Sequence, residues 1–106
     1  MIITTTSYIE DRKITGYKGI VFGEVVTGMN FVKDWFAGVT DTIGGRSGMY
    51  EGELEDARSK ALKEMVNRAE KLGADGIIGV SFDYEVLGEK NGMIMVCCQG
   101  TAVTLY

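Results

Sequence analysis

The sequence predicts a small α+β domain in which strands occupy both ends of the chain and helices the middle. Three observations support this class: β-prone residues dominate the N-terminal part, helical periodicity follows, and two-residue alternation returns near the end. No linker, internal repeat or low-complexity segment interrupts the 106 residues. We therefore expect one domain over residues 1–106 with the element order β-β-α-α-β-β.

The N-terminal part contains two strand candidates. Residues Ile2–Ser7 are rich in Thr and Ile, and Ile14–Met29 is a long β-prone run after a polar turn. Isolated glycines inside a strand indicate bulges or a close approach of another backbone. The glycines that interrupt this run are Gly16, Gly19, Gly23 and Gly28.

The middle of the chain contains two helix candidates. Apolar residues recur at three- and four-residue spacing within Asn30–Ile43, which predicts a short amphipathic helix that Gly44-Gly45 would end. The stronger helix is Met49–Leu72, and Gly73 supplies its C-terminal stop. The apolar stripe predicted for this long helix consists of Leu54, Ala57, Ala61, Met65, Ala69 and Leu72, joined by Leu62 and Val66.

The C-terminal part reads as a hairpin. Ile78, Val80, Phe82, Tyr84 and Val86 alternate with Gly79, Ser81, Asp83 and Glu85. Residues Gly88–Gly92 would form the turn. Every position of Met93–Cys98 is apolar, which predicts a strand covered on both faces.

Packing considerations predict self-association. One main helix cannot cover both faces of a small four-stranded sheet, so the apolar strand Met93–Cys98 and the glycine-marked strand Ile14–Met29 need another surface. A second copy of the chain would supply it and would close the exposed sheet edges. We therefore expect a homo-oligomer.

Bulk composition excludes several classes of protein. The net charge is −4, with acids and bases interspersed, whereas nucleic-acid-binding proteins normally present a basic face. No window approaches the roughly 20 apolar residues of a membrane span, and Met1–Ser7 lacks the features of a signal peptide. The two cysteines are adjacent and unsuited to an ordinary disulfide, so we expect a cytosolic protein without a nucleic-acid or membrane partner.

A glycine-rich loop precedes the long helix. Gly44, Gly45, Arg46, Ser47 and Gly48 stand where free backbone N–H groups and the helix dipole attract anions, and a guanidinium would add a bidentate donor. The segment lacks the Lys-Ser/Thr pair of a phosphate-binding P-loop. The alternative is a corner between two helices, in which Arg46 pairs with a carboxylate, including one on a neighbouring subunit.

The two cysteines form a second candidate site. Cys97 and Cys98 are neighbours on a strand, so their side chains point to opposite faces and cannot chelate one metal ion together. A ring of subunits could gather copies of one cysteine around its axis and bind a soft metal. The alternative is that both are small buried apolar residues.

Carboxylates form a third candidate. Asp83 and Glu85 share the polar face of one strand, and Glu24 interrupts an apolar strand. Such groups could hold a hard cation or act as an acid–base pair. They could equally lie on a solvated face. Histidine is absent, so no Ser-His or Cys-His nucleophile pair can form, which disfavours an enzyme.

Three sequence blocks resemble the YbjQ-like family, a bacterial and archaeal group of short proteins labelled "putative heavy-metal-binding". They are DWFAGVTDTIGGRSGMYEGEL (34–54), KLGADGIIGVSFDYE (71–85) and GTAV (100–103). The resemblance implies a small α+β subunit in a ring-like homopentamer, with strands of neighbouring subunits forming a central barrel. It also marks residues 44–48 as the family's most recognisable block, but it implies no particular metal ligands.

The leading functional hypothesis is a homo-oligomeric module that binds a small ligand or ion at subunit interfaces or along the barrel. Thiolate metal binding through Cys97 or Cys98 is the first alternative. An enzyme acting on a small anionic substrate held by Arg46 is the second, and an assembly scaffold is the third. No cofactor is implied with certainty, although a metal ion of unspecified identity is compatible with the side chains above.

Overall fold

The computed structural model describes residues 1–27, 48–87 and 93–106. These residues form four strands and one long helix in an α+β arrangement, as predicted. The elements are β1 (Ile2–Ile3), β2 (Ile14–Thr27), α1 (Gly48–Lys71), β3 (Gly76–Leu87) and β4 (Met93–Leu105). The predicted helix within Asn30–Ile43 and the predicted turn at Gly88–Gly92 lie outside the described residues.

The strands form one mixed sheet in the order β1-β3-β4-β2. β4 lies between β3 and β2 and is antiparallel to both, whereas β1 is parallel to β3. β2 contains register shifts between Ile14 and Gly16 and between Tyr17 and Gly19, as expected for a strand interrupted by glycines. After β1, main-chain bonds from Val80 N–H to Thr4 and from Gly79 N–H to Thr6 keep the N-terminus beside β3.

Helix α1 forms as the periodicity predicts. Ala57, Ala61, Met65 and Ala69 are buried along one stripe, and the last turn carries Arg68 and Lys71, whose positive charges favour a helix C-terminus. Gly73 follows with a φ of 77°, and its N–H bonds to the carbonyl of Glu70. Leu72 was expected in the apolar stripe, but it lies beyond the last helical residue and is exposed.

The core lies between α1 and one face of the sheet. Small residues make the contact: Gly23 of β2 faces the backbone of Ala61, and a Cβ built on Gly23 would lie 2.8 Å from the Ala61 carbonyl carbon. Val21, Val96 and Cys98 are buried in the same cluster. The helix therefore packs closely on β2 and β4.

Strand β3 corrects one prediction. Ile78 was expected on the same face as Val80, but Gly79 adopts a φ of 62° and the register with β4 shifts between Ile78 and Ser81. This bulge places Ile77, rather than Ile78, beside Val80 in the core under α1. After the bulge the alternation of the strand is as predicted.

Among the described residues, a helix covers only one face of the sheet. β4 was expected to be covered on both faces, and on its second face Met95 and Cys97 are half-buried in this chain. Within the described ranges, no helix has the length and apolar character needed to cross a membrane.

Candidate functional site

The sheet face opposite α1 carries four of the five residues predicted as metal ligands. Because residues paired across an antiparallel ladder share a face, the register assigns this face without ambiguity. We call it the open face, and its members after the bulges are Ile20, Phe22, Glu24 and Val26 of β2, Ser81, Asp83 and Glu85 of β3, and Met95, Cys97, Gln99 and Thr101 of β4.

Three candidate residues from distant parts of the chain form one row of the open face. Glu24 is the register partner of Cys97 from one side, and Asp83 is its partner from the other. Directly paired residues on one face have Cβ atoms about 5 Å apart, so the thiol lies between two carboxylates. The structure thus brings Glu24, Cys97 and Asp83 together, and we call these three residues the acidic row.

The surroundings of Cys97 disfavour its thiolate form. Burial raises the pKa of the Cys97 thiol, and the negative charges of Glu24 and Asp83 raise this pKa further. The group therefore stays protonated at neutral pH, which makes it a weak nucleophile. A metal ion bound there would have to displace the proton.

The other predicted ligands lie elsewhere. Glu85 occupies the next row, where its register partner is Met95. Cys98 points to the opposite face and is buried beneath α1, where burial raises the pKa of its thiol. Among residues 1–27, 48–87 and 93–106, no group of three or more Cys, Asp or Glu side chains has an arrangement that could hold a metal ion.

The predicted anion site falls mostly outside the described residues. Gly44, Gly45, Arg46 and Ser47 belong to that segment, and only Gly48 is described, as the first residue of α1. The anion site itself stays a prediction.

Exposed apolar side chains surround the acidic row. Ile20, Phe22 and Val26 on β2 are 67%, 40% and 53% exposed. They lie in rows on either side of Glu24, so the open face combines an apolar surface with a central pair of carboxylates. An isolated exposed apolar residue needs no explanation, but a contiguous group of them indicates an interaction surface.

Each edge strand of the sheet, β2 on one side and the second half of β3 on the other, pairs with one strand among the described residues. β2 pairs with β4 alone, and in the described part of the chain no strand lies beside the outer edge of β3 at residues 81–87. On β2, the guanidinium of Arg68 donates a 2.7 Å hydrogen bond to the main-chain carbonyl of Phe22 and also pairs with Glu64. Sequence reasoning missed this contact, because helical spacing shows that Arg68 is near Glu64 but not which strand the helix crosses.

Comparison with known proteins identifies the family. The whole chain, residues 1–106, matches the model of a family described as "Putative heavy-metal-binding". The chain belongs to the YbjQ family. A UPF0145 protein of Clostridium botulinum (strain Eklund 17B) is 60% identical over 103 residues, which are 97% of each chain. A UPF0145 protein of Actinobacillus pleuropneumoniae serotype 5b is 52% identical over 105 residues, which are 99% of each. The resemblance inferred from the three sequence blocks is therefore confirmed.

A solved structure shares the fold of this YbjQ family member. The crystal structure of a DUF74-family protein of unknown function from Pediococcus pentosaceus superposes with a TM-score of 0.68 at 18% identity. The match covers 100% of this chain and 98% of the other. At this identity the likeness establishes the small α+β fold.

Proposed function

We propose that the chain is the subunit of a homo-oligomeric ring that encloses the open face and binds a small ligand or ion in the enclosed space. The observation that carries the proposal is the open face itself, whose apolar residues Ile20, Phe22 and Val26 are exposed in the single chain. Burial of apolar surface is the main driving force of association. The adjacent acidic row favours a cation, or a ligand with donor groups, in the interior.

The directions of the edge strands support a ring. β2 and β3 are each antiparallel to β4, so they run in the same direction. A neighbour rotated about an axis roughly parallel to the strands would therefore place its β3 beside β2 in parallel. Such a head-to-tail interface is heterologous and can close into a ring. The resemblance to the YbjQ-like family sets the expected number of subunits at five, and we retain the cytosol as the expected compartment.

The length of the edges also supports this pairing. β2 offers 14 residues, and β3 offers residues 81–87 beyond the segment that β1 occupies. Arg68 already bonds to the carbonyl of Phe22 on β2. We therefore expect an added strand to pair with the part of β2 that follows Phe22.

The mass of the assembly tests the proposal. Val26→Lys places a charge on the open face at a position 53% exposed, and Leu72→Lys places the same charge after α1 at a position 45% exposed. Native mass spectrometry should show the wild type and Leu72→Lys as the same closed oligomer and Val26→Lys as smaller species. A wild-type monomer, or an unchanged oligomer for Val26→Lys, would refute the ring.

Metal binding is a second candidate, favoured by the position of Cys97 between Glu24 and Asp83. A ring would bring copies of this row around one axis, where thiolates and carboxylates from several subunits could bind a borderline or soft ion. Because the pKa of Cys97 is raised, binding should release a proton and strengthen as the pH rises.

Replacement of each cysteine separates this candidate from adventitious binding. Zinc and cadmium stoichiometry would be measured by native mass spectrometry on protein purified without chelator. Cys97→Ser should abolish stoichiometric metal, whereas Cys98→Ser, on the buried face, should retain it. Metal retained by Cys97→Ser would exclude the Cys97 thiolate as a ligand.

A further inference from the structure

A groove lies on the other side of the sheet, between α1 and the second half of β3. Its volume is about 330 Å³ and its lining consists of Glu55, Arg58, Ser59, Leu62 and Phe82. We call it the α1–β3 groove. The volume falls near the lower end of the range for small-molecule sites, which is about 300–1,000 Å³.

The groove follows from the position of the helix. The close contact between Gly23 and the backbone of Ala61 holds α1 against β2 and β4. Among the described residues, β3 consequently receives little cover after Val80: Phe82 is half-buried, and Tyr84 and Val86 are exposed. The space above these residues is the α1–β3 groove.

The helical wall of the groove is one continuous stripe. Glu55, Arg58, Ser59 and Leu62 are spaced i, i+3, i+4 and i+7, so they share one face of α1. Leu62 and Phe82 are partly buried and pack against the core, which gives the groove an apolar base. Arg58 and Ser59 supply hydrogen-bond donors above this base.

Arg58 is held toward the groove by Tyr84. Its Nη1 donates a 3.4 Å hydrogen bond to the Tyr84 hydroxyl, and this contact raises the pKa of Arg58. Elsewhere on α1, Lys60 and Arg68 form ion pairs with Asp56 and Glu64. The bond to Tyr84 uses one N–H of a guanidinium that carries several, so the others can receive a carboxylate.

We propose that the α1–β3 groove binds a small monocarboxylic acid with an aromatic or aliphatic body. The carboxylate accepts hydrogen bonds from Arg58 and the Ser59 hydroxyl, and the body lies on Leu62 and Phe82. Glu55 at the rim disfavours a ligand that carries several negative charges. As far as the described residues define it, the groove is open to solvent on one side, so we expect dissociation constants in the millimolar range.

The site does not require the proposed ring, although a neighbouring strand would lie beside β3 at residues 81–87. Its lining belongs to the helical side of the sheet, whereas the ring would enclose the open face. A chain that fails to assemble should therefore still bind the acid. Conversely, the absence of binding would leave the assembly proposal unchanged.

Titration of the intact protein with benzoate, followed by amide chemical shifts in two-dimensional NMR, tests the site. Saturable shifts are expected in α1 around Arg58 and in β3 around Phe82. Acetate has the same charge without the apolar body and should bind about tenfold more weakly. Benzylamine has the body with the opposite charge and should give no shifts in the groove.

Two variants that remove the same charge from different positions test whether benzoate binds in the α1–β3 groove. Arg58→Gln should weaken benzoate binding about tenfold or more, because it removes a charge-assisted hydrogen bond. Lys63→Gln removes the same charge from an exposed position outside the groove lining and should leave the affinity unchanged. Tyr84→Phe keeps the ring but releases the guanidinium, so a smaller loss is expected.

Two results would overturn the proposal. One is the absence of saturable benzoate shifts at about 10 mM, well above a millimolar dissociation constant. The other is an equal loss of affinity in Arg58→Gln and Lys63→Gln, because this would indicate a nonspecific charge effect. Folding of each variant is verified from its wild-type-like amide spectrum without ligand.

Discussion

The contact between α1 and β2 at Gly23 predicts a large effect of a very small substitution. In Gly23→Ala the new Cβ would lie 2.8 Å from the carbonyl carbon of Ala61 and 3.0 Å from the amide nitrogen of Met65, and it would be closer still to the Ala61 oxygen. Ordinary van der Waals contact begins at 3.4 Å, so the carbonyl carbon alone must move by 3.4 − 2.8 = 0.6 Å. The obstructing atoms are helix backbone, which cannot rotate away as a side chain could.

The cost follows from this displacement. A gap of about 0.5–1 Å loses roughly a quarter to a half of the dispersion energy of the contacts across it. The buried stripe of Ala57, Ala61 and Met65 would lose packing against the sheet together. We expect Gly23→Ala to lower the free energy of unfolding by about 3 kcal/mol, which is typical of a severely overpacked core. That is a large fraction of the roughly 5–15 kcal/mol that stabilises most domains.

Urea denaturation at one fixed protein concentration measures this effect, since association would otherwise contribute to the apparent stability. Gly52→Ala is the matched control, because Gly52 is an exposed position within α1 and its new Cβ would meet none of the described residues within 4 Å. The control should raise the free energy of unfolding by about 0.5–1 kcal/mol through helix propensity. A loss below about 1 kcal/mol for Gly23→Ala with an unchanged m-value would refute the close packing of α1 on β2.

Two further predictions concern a thiol and a helix cap. Folding raises the pKa of Cys97, so the contribution of this thiol to the free energy of unfolding is fully present below the ordinary thiol pKa. That contribution is lost as the pH rises through the pKa of Cys97 in the folded protein. Glu24→Gln should lower the pKa of Cys97 and speed its alkylation by iodoacetamide at mildly alkaline pH. Glu85→Gln, one row away, should leave the alkylation rate unchanged. Equal rates in the wild type and both variants would contradict the role of the Glu24 carboxylate. Gly73→Ala forces a φ of 77° on an alanine and should lower the free energy of unfolding by about 1 kcal/mol, and a melting temperature equal to wild type would show that the cap is not strained.

The sequence contains enough information for the elements but not for all of their contacts. The 3.6-residue period predicted a helix over Met49–Leu72, and the structure has Gly48–Lys71, because helix periodicity and the stop at Gly73 are local properties. The glycines of Ile14–Met29 likewise predicted bulges and a close backbone approach. Their distinct roles were not predictable: Gly23 contacts α1, whereas Gly19 adopts a φ of 108°. Which role a glycine has depends on neighbours far away in the chain.

The proximity of the residues in the acidic row was likewise not predictable from the sequence, because it depends on the register of the strands. Glu24, Asp83 and Cys97 could be named as candidates individually, but only the register makes them neighbours, and a slip of one residue would move a side chain to the other face. In β3, the bulge at Gly79 determines which residues lie on the open face. Without it, strict alternation from buried Ile77 would turn Asp83 toward the α1 side of the sheet, and Cys97 would lose one of its two carboxylate neighbours. The left-handed conformation of Gly79 therefore determines that the carboxylate of Asp83 lies on the open face beside Cys97.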